Sequence, residues 1–423
     1  MKKVVTLAAI LFSVSLSWAQ NAAPVVSNVS FTPGVGTVAI TYDVADAENQ
    51  NVEVTLRASN DGGKTFSVIP RLVTGDVGAA ITPGTGKQIT WAAGVEQPTA
   101  NLNTLVYRVI ADDGEKPDIA KIIAQIDSKE ILEKFFHVYG NNNPRSQEHY
   151  DQTRDYIYNY YNGLGYRARR DTFTYPQRNG VNMIGVKPGI MREDSTVLMS
   201  GHYDTVEPTM GADDNNMSVA IVMEAARVLK DYQFKNSIVF ANWDLEEVAL
   251  VGAYYYAISE KSVGLKSVLN FDGISIYKEE ANSQKVPTGF DLLFPAGYAK
   301  AEADSFRGNF ITLIGDAKSA TLNKKAVAFA DQYTPNLRYI DLTCPDPSCA
   351  IATDLRRSDH APFWDRGIPS VFFTSTTEFR TDCYHKACDT TYNIDFSTKV
   401  IKLATSMLID EAQQKLNLSK EIS

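Results

Sequence analysis

Residues 195–204 read STVLMSGHYD, and residues 236–247 read NSIVFANWDLEE. Each is an apolar run of strand length that ends in polar, chemically capable groups: His202 and Asp204 in the first, Glu246 and Glu247 in the second. A helical pattern over about 216–231 separates them, and a third run, about 267–273, closes on Asn270-Phe271-Asp272-Gly273. Strands alternating with helices predict an α/β layer fold with a mainly parallel central sheet. Such sheets place their ligands beyond the carboxyl ends of the strands, which is where these polar groups fall.

Outward from this centre, the pattern predicts helices over about 118–137, 147–162, 250–260 and 396–415, and a strand at Ser370-Val371-Phe372-Phe373. Upstream the periodicity changes. From about 22 to 112, short alternating runs such as Val38, Ile40, Tyr42, Val44 and Leu105, Tyr107, Val109 are separated by turn signals such as Asp61-Gly62-Gly63. They predict an all-β sandwich resembling immunoglobulin-like or fibronectin-like accessory domains. Asp112 to Pro117 has linker composition. The organisation is therefore a leader at 1–19, a sandwich at 20–113, a linker at 114–117 and an α/β domain at 118–423. Gly84-Thr85-Gly86-Lys87 suggests a phosphate loop, but Ile81 and Gln88 occupy the positions that require Gly and Ser or Thr, so it is discarded.

The leader MKKVVTLAAILFSVSLSWAQ joins Lys2 and Lys3 to an apolar run and ends in Ser17-Trp18-Ala19, a signal-peptide pattern implying export to the periplasm or exterior. No later stretch has the uninterrupted apolar length of a membrane anchor. A net charge of −9 argues against nucleic acid or an anionic membrane as partner. The four cysteines fall in two C-x4-C pairs, Cys344 with Cys349 and Cys383 with Cys388. In an exported chain, two short-loop disulfides are favoured over a four-thiolate zinc site, with the connectivity left open. The oligomeric state is open too.

Only five histidines occur. His202 follows a strand, with Asp204 two residues on and able to orient its imidazole, as the carboxylate partner of a metal-bound histidine commonly does. Gly211-Ala212-Asp213-Asp214-Asn215-Asn216 opens a helix, where acidic residues also serve as caps. Glu246-Glu247, Asp272 and Tyr384-His385-Lys386-Ala387-Cys388-Asp389-Thr390 complete the series. Singly, each has an ordinary structural explanation; together they fall in order at successive strand ends of one α/β domain.

The succession H-x-D, G-A-D-D-N, E-E, N-x-D-G, Ser358-Asp359-His360, Y-H-x-x-x-D-T resembles the zinc exopeptidases that include bacterial leucyl aminopeptidases, glutamate carboxypeptidases and glutaminyl cyclases. The resemblance covers about 118–423 and implies a three-layer αβα peptidase domain. It also implies that His202 and Asp272 bind one zinc, that Glu247 and His385 bind another, and that Asp213 bridges them. Glu246 is then the general base, Asp204 assists, and Ser358, Asp359 and His360 stand beside the site rather than ligating. Cobalt or manganese could replace the zinc. Three carboxylates and two imidazoles suit two borderline cations about 3.5–4 Å apart. With a bridging hydroxide, two divalent ions balance the three carboxylates, so the site can be buried without unpaired charge.

Leu245 stands where many relatives have Gly, and the following segment is poorer in glycine than theirs. In this frame a Cys383–Cys388 disulfide would bracket His385 and hold the ligand loop. The leading function is removal of N-terminal residues from peptides. The alternatives are a single-zinc glutaminyl cyclase, a carboxypeptidase using Arg356 or Arg357 to grip a substrate carboxylate, and a catalytically silent binding protein.

Overall fold

The computed structural model describes residues 23–63, 65–115, 117–141, 147–176 and 178–415; the signal-peptide reading at 1–19 lies outside them. Strands β1 (Val25–Pro33), β2 (Val38–Ala45), β3 (Val52–Ser59), β4 (Val73–Gly75), β5 (Gly78–Ile81), β6 (Gly84–Trp91) and β7 (Val106–Asp112) come first. They make a four-stranded sheet, β1-β2-β6-β4, and a three-stranded one, β5-β3-β7. Alternation decides the inward set: Val38, Ile40, Tyr42 and Val44 of β2 are buried, and they share one apolar cluster with Val52, Val54 and Leu56 of β3. This part touches the rest through polar contacts. The Arg57 guanidinium donates from Nε to the Met191 carbonyl at 2.8 Å, and Lys235 pairs with Asp112 at 3.2 Å.

The remaining strands are β8 (Arg167–Tyr175), β9 (Arg178–Lys187), β10 (Arg192–His202), β11 (Gln233–Phe234), β12 (Asn236–Trp243), β13 (Leu265–Phe271), β14 (Ile311–Gly315), β15 (Tyr339–Thr343), β16 (Ser370–Thr374) and β17 (Gln414–Lys415). Eight of them form one sheet in the order β15-β14-β16-β13-β10-β12-β9-β8, while β11 pairs with β17. The middle is parallel, with β12, β10, β13 and β16 all running the same way. The β8–β9 hairpin is antiparallel at one side, and β14 runs antiparallel to β16 at the other.

Every residue of β12 is buried, as expected for a strand covered on both faces. One face is covered by helices α1 (Ser128–Asn141), α2 (Gln147–Gly163), α3 (Met217–Leu229), α5 (Ala320–Tyr333) and α6 (Ile394–Ala412), and α4 (Val251–Ala257) lies on the other. Tyr256 of α4 packs with Trp243, Ala253 and Phe363 in a separate cluster on the other face. The architecture is therefore three layers.

The helix expected over 118–137 is two pieces, Ile119–Ile123 and α1, because Asp127 turns the chain between them and its carboxylate accepts the Lys129 N–H at 2.9 Å. Among the described residues, no helix is long and apolar enough to cross a membrane. The feature that positions the site is the strand order around β10. The chain leaves β10, returns as β12 on one side, and then crosses to β13 on the other. The carboxyl end of β10 is thus the switch point at which α/β sheets open a crevice.

Candidate metal centre

His202 is the last residue of β10, Glu246 and Glu247 follow β12, and Asp272 follows β13. Sheet register therefore brings three separated segments to one edge. His202 is fully buried. Its Nδ1 lies 3.0 Å from the Asp204 carbonyl, which accepts the ring N–H and leaves the Nε2 lone pair facing inward. Asp204 therefore stands behind the ring as expected, with the carbonyl making the shorter contact and the carboxylate Oδ1 lying 3.6 Å from the same nitrogen. The Asp204 carboxylate also accepts the N–H groups of Glu246 and Glu247, at 3.1 and 3.2 Å, and so fixes the turn carrying both glutamates.

The His202 Nε2 is 3.4 Å from Asp214 Oδ1 and 3.6 Å from Asp272 Oδ2. The other Asp214 oxygen lies 3.1 Å from His385 Nε2, which is also 3.1 Å from Glu247 Oε2. One carboxylate therefore spans two histidine-carboxylate pairs, and it belongs to Asp214, not to Asp213. Asp213 is turned away. It accepts the Ser275 N–H and hydroxyl at 2.6 and 2.7 Å and the Thr377 hydroxyl at 2.5 Å. The physical reason is the loop itself. Gly211, at φ +65, starts a turn in which Asp214 is extended (φ −113, ψ 86), so the two neighbouring aspartates project in different directions. A Cβ at Gly211 would press on the Thr205 side chain and the Asp214 carbonyl, so the turn requires glycine.

Three sets of donor atoms lie close enough to share an ion: His202-Asp214-Asp272, Asp214-Glu247-His385 and His202-Glu246-Glu247, each within 4.8 Å. His202 Nε2 and Glu247 Oε1 are buried without a hydrogen-bond partner among the described residues, and so is each oxygen of the fully buried Asp359. The electrostatics match a cation site. Burial pushes the Glu246 carboxyl well above the usual carboxylate range, and burial with Asp214 alongside raises Glu247 to about 7. Burial opposes a charge on His385, yet hydrogen bonds to Asp214 and Glu247 lift it to about 10. Imidazoles that must be protonated to hold carboxylates together are a substitute for a divalent cation. The donor set fits divalent cations.

Glu246 lies farther back, with Oε2 3.9 Å from His202 Nε2. The Ser358 hydroxyl accepts from the Asn270 amide at 2.9 Å, beside Asp272. His360 stands apart from all three donor sets, with Nε2 2.8 Å from the Leu355 carbonyl and its ring stacked on Phe372. Burial lowers it to about 3, so it is neutral. Both disulfides join near neighbours, Cys344 to Cys349 and Cys383 to Cys388, the second bracketing His385. Arg356 forms a two-oxygen pair with Asp365 at 2.8 and 2.9 Å, and Arg357 pairs with Glu378, so carboxylates already engage both arginines. Beside Asp272, an apolar cavity of about 120 Å³ is lined by Phe290, Phe310, Ile314, Leu342 and Phe372, with Tyr384 at its edge.

The sequence profile of Peptidase family M28 matches residues 182–404, just over half of the chain. The chain belongs to peptidase family M28. It is 31% identical over 118 residues to aminopeptidase YwaD of Bacillus subtilis, a match covering 27% of this chain and 26% of that protein. It is 31% identical over 142 residues to leupeptin-inactivating enzyme 1 of Streptomyces exfoliatus, covering 32% of each. The M28 chain thus spans about a quarter to a third of the length of these curated relatives. Among solved structures, the LapA aminopeptidase of Legionella pneumophila superposes with a TM-score of 0.54 at 19% identity, covering 70% of this chain and 74% of that one. That is a likeness of fold.

The turn after β12 departs from the glycine-rich pattern in a measurable way. Leu245, Ala249 and Leu250 all have positive φ, at 58, 96 and 59°, and His385 itself sits at 55°. Left-handed backbone costs a non-glycine residue about 1–2 kcal/mol and gathers at functional sites. Ala249 is exposed, so its side chain contributes little to packing. Ala249→Gly should remove that strain at an entropic cost of about 0.4–1 kcal/mol and raise unfolding free energy by about 0.5–1 kcal/mol net. Urea unfolding checks this, and a lowered midpoint would contradict the strain.

Proposed function

We propose that the chain is an exported di-zinc aminopeptidase whose site is built from His202 and Asp272 on one side, Glu247 and His385 on the other, and Asp214 between them. The observation that carries this reading is the Asp214 carboxylate, with one oxygen toward each histidine. It favours two ions over the single ion of a cyclase. The aminopeptidase names of the relatives support the reaction class, and the unlike partners already held by Arg356 and Arg357 weigh against carboxylate capture. Residues 20–113 are read as an accessory domain and 118–423 as the catalytic one.

Zinc held there would supply Lewis acidity, polarising a peptide carbonyl and acidifying water. The protein's own part is positional and acid–base. Burial pushes the Glu246 carboxyl above the usual carboxylate range, which makes its carboxylate a stronger base, able to take a proton from the attacking water and return it to the leaving amine. Asp204 fixes the Glu246-Glu247 turn through two backbone N–H groups, which keeps the base and the ligand on separate tasks. The apolar cavity beside Asp272 receives the side chain of the residue being removed, while Asp272 and Glu246 offer negative charge to a free terminal amine.

Two outcomes follow. Glu246→Gln should retain two zinc ions by elemental analysis yet lose at least 100-fold in kcat; near-normal turnover would remove Glu246 from its role. A leucyl peptide should exceed its alanyl counterpart by about 2 kcal/mol of apolar burial, roughly 30-fold in kcat/KM, with cleavage abolished by a chelator. Equal rates would deny the cavity its part, and chelator-resistant cleavage would deny the metals theirs.

A further inference from the structure

We propose that Asp389 is a positioning residue for the metal site, and that the segment 383–389 acts as one unit, carrying the ligand His385 and clamping the backbone that presents Asp214. The inference rests on the two-metal reading above and extends it to a residue that does not ligate.

Asp389 is buried, 3% exposed. Its carbonyl accepts the Ala212 N–H at 3.1 Å, its Oδ1 accepts the Asp213 N–H at 3.1 Å and its Oδ2 accepts the Asp214 N–H at 3.1 Å. Three successive backbone donors of the 212–214 turn thus end on one residue. Asp214 and Asn215 are non-helical, so the turn cannot rely on a regular helical ladder to hold its shape. A carboxylate gripping two adjacent N–H groups fixes the orientation of the peptide planes on either side of Asp213. That orientation sends Asp213 toward Ser275 and Thr377 and sends Asp214 between the histidines.

The two halves of the site differ in how they are held. His202 and Asp272 stand at the ends of adjacent parallel strands, and the Asn215 amide ties the turn to this half by donating to the Phe271 carbonyl at 2.9 Å. His385 lies on no strand or helix and its side chain is 36% exposed. It is held within a short loop closed by Cys383–Cys388, with the Lys386 N–H on the Cys383 carbonyl and the Asp389 N–H on the Lys386 carbonyl, both at 3.0 Å. Loosening Asp389 therefore acts on Asp214 Oδ2 and His385 together, the pair serving the second ion.

The test is zinc affinity by competition with a chromophoric chelator, alongside the thermal midpoint of the metal-free chain. Asp389→Asn keeps the shape but leaves one oxygen for two N–H donors. It should bind one zinc as the wild type does and the second at least ~10-fold more weakly, the usual effect of losing a partner behind a ligand, with the metal-free midpoint lowered only slightly by the N–H left without an acceptor. Cys383→Ser/Cys388→Ser, which leaves Asp389 in place, should weaken the same second zinc, and it decides alone if Asp389→Asn does not fold. Two zinc ions at wild-type affinity in the variant, or equal weakening of both, would overturn the proposal. A wild type that binds fewer than two zinc ions would instead overturn the two-metal reading, and this inference with it.

Discussion

Everything at the site turns on the carboxylate of Asp214, held between two histidines that lie far apart in the sequence of the α/β part. His202 Nε2 and His385 Nε2 approach its two oxygens at 3.4 and 3.1 Å. Groups of this kind repel or are stranded unless something positive lies among them. Burying unpaired carboxylates is costly enough that the groups shift their protonation instead, as Glu246 and Glu247 do here. A donor set that is self-compensating only when its histidines are charged is one arranged for cations.

The fold supplies the convergence. Parallel β10, β12 and β13 end at the same edge, and the order of connection leaves a crevice at the end of β10. Three segments reach that crevice directly from strands. The turn carrying Asp214 and the loop carrying His385 do not, and there the Asp389 clamp and the disulfide take the place of strand hydrogen bonds. Positive φ at Leu245, Ala249, Leu250 and His385 marks where side chains are aimed at the expense of local backbone comfort.

Much of this was legible in the chain alone. Long apolar runs ending in His202, Glu246-Glu247 and Asp272 announce both the sheet and its functional edge, because burial on two faces leaves little room for polar residues until the strand ends. The β8–β9 hairpin was not anticipated: Arg167, Arg169, Arg170 and Asp171 give it a charged surface, and its pairing is set by neighbouring strands rather than by its own periodicity. Strands β14 and β15 with α5 lie between Asp272 and Ser358, where no residue of the motif series falls. The choice between Asp213 and Asp214 could not be made from composition either, since adjacent identical residues differ only in the backbone turn that directs them. Asp389 was visible only as part of a motif; its contact with residues 212–214 is long-range and absent from any local pattern.

The central claim is that Asp214 lies between two metal ions. Anomalous diffraction at the zinc absorption edge, from crystals of the zinc-loaded protein, tests it directly. The account predicts two peaks, one beside His202 and Asp272 and one beside Glu247 and His385, with the Asp214 carboxylate between them. A single peak, or peaks bridged by Asp213 with Asp214 turned away, would contradict it.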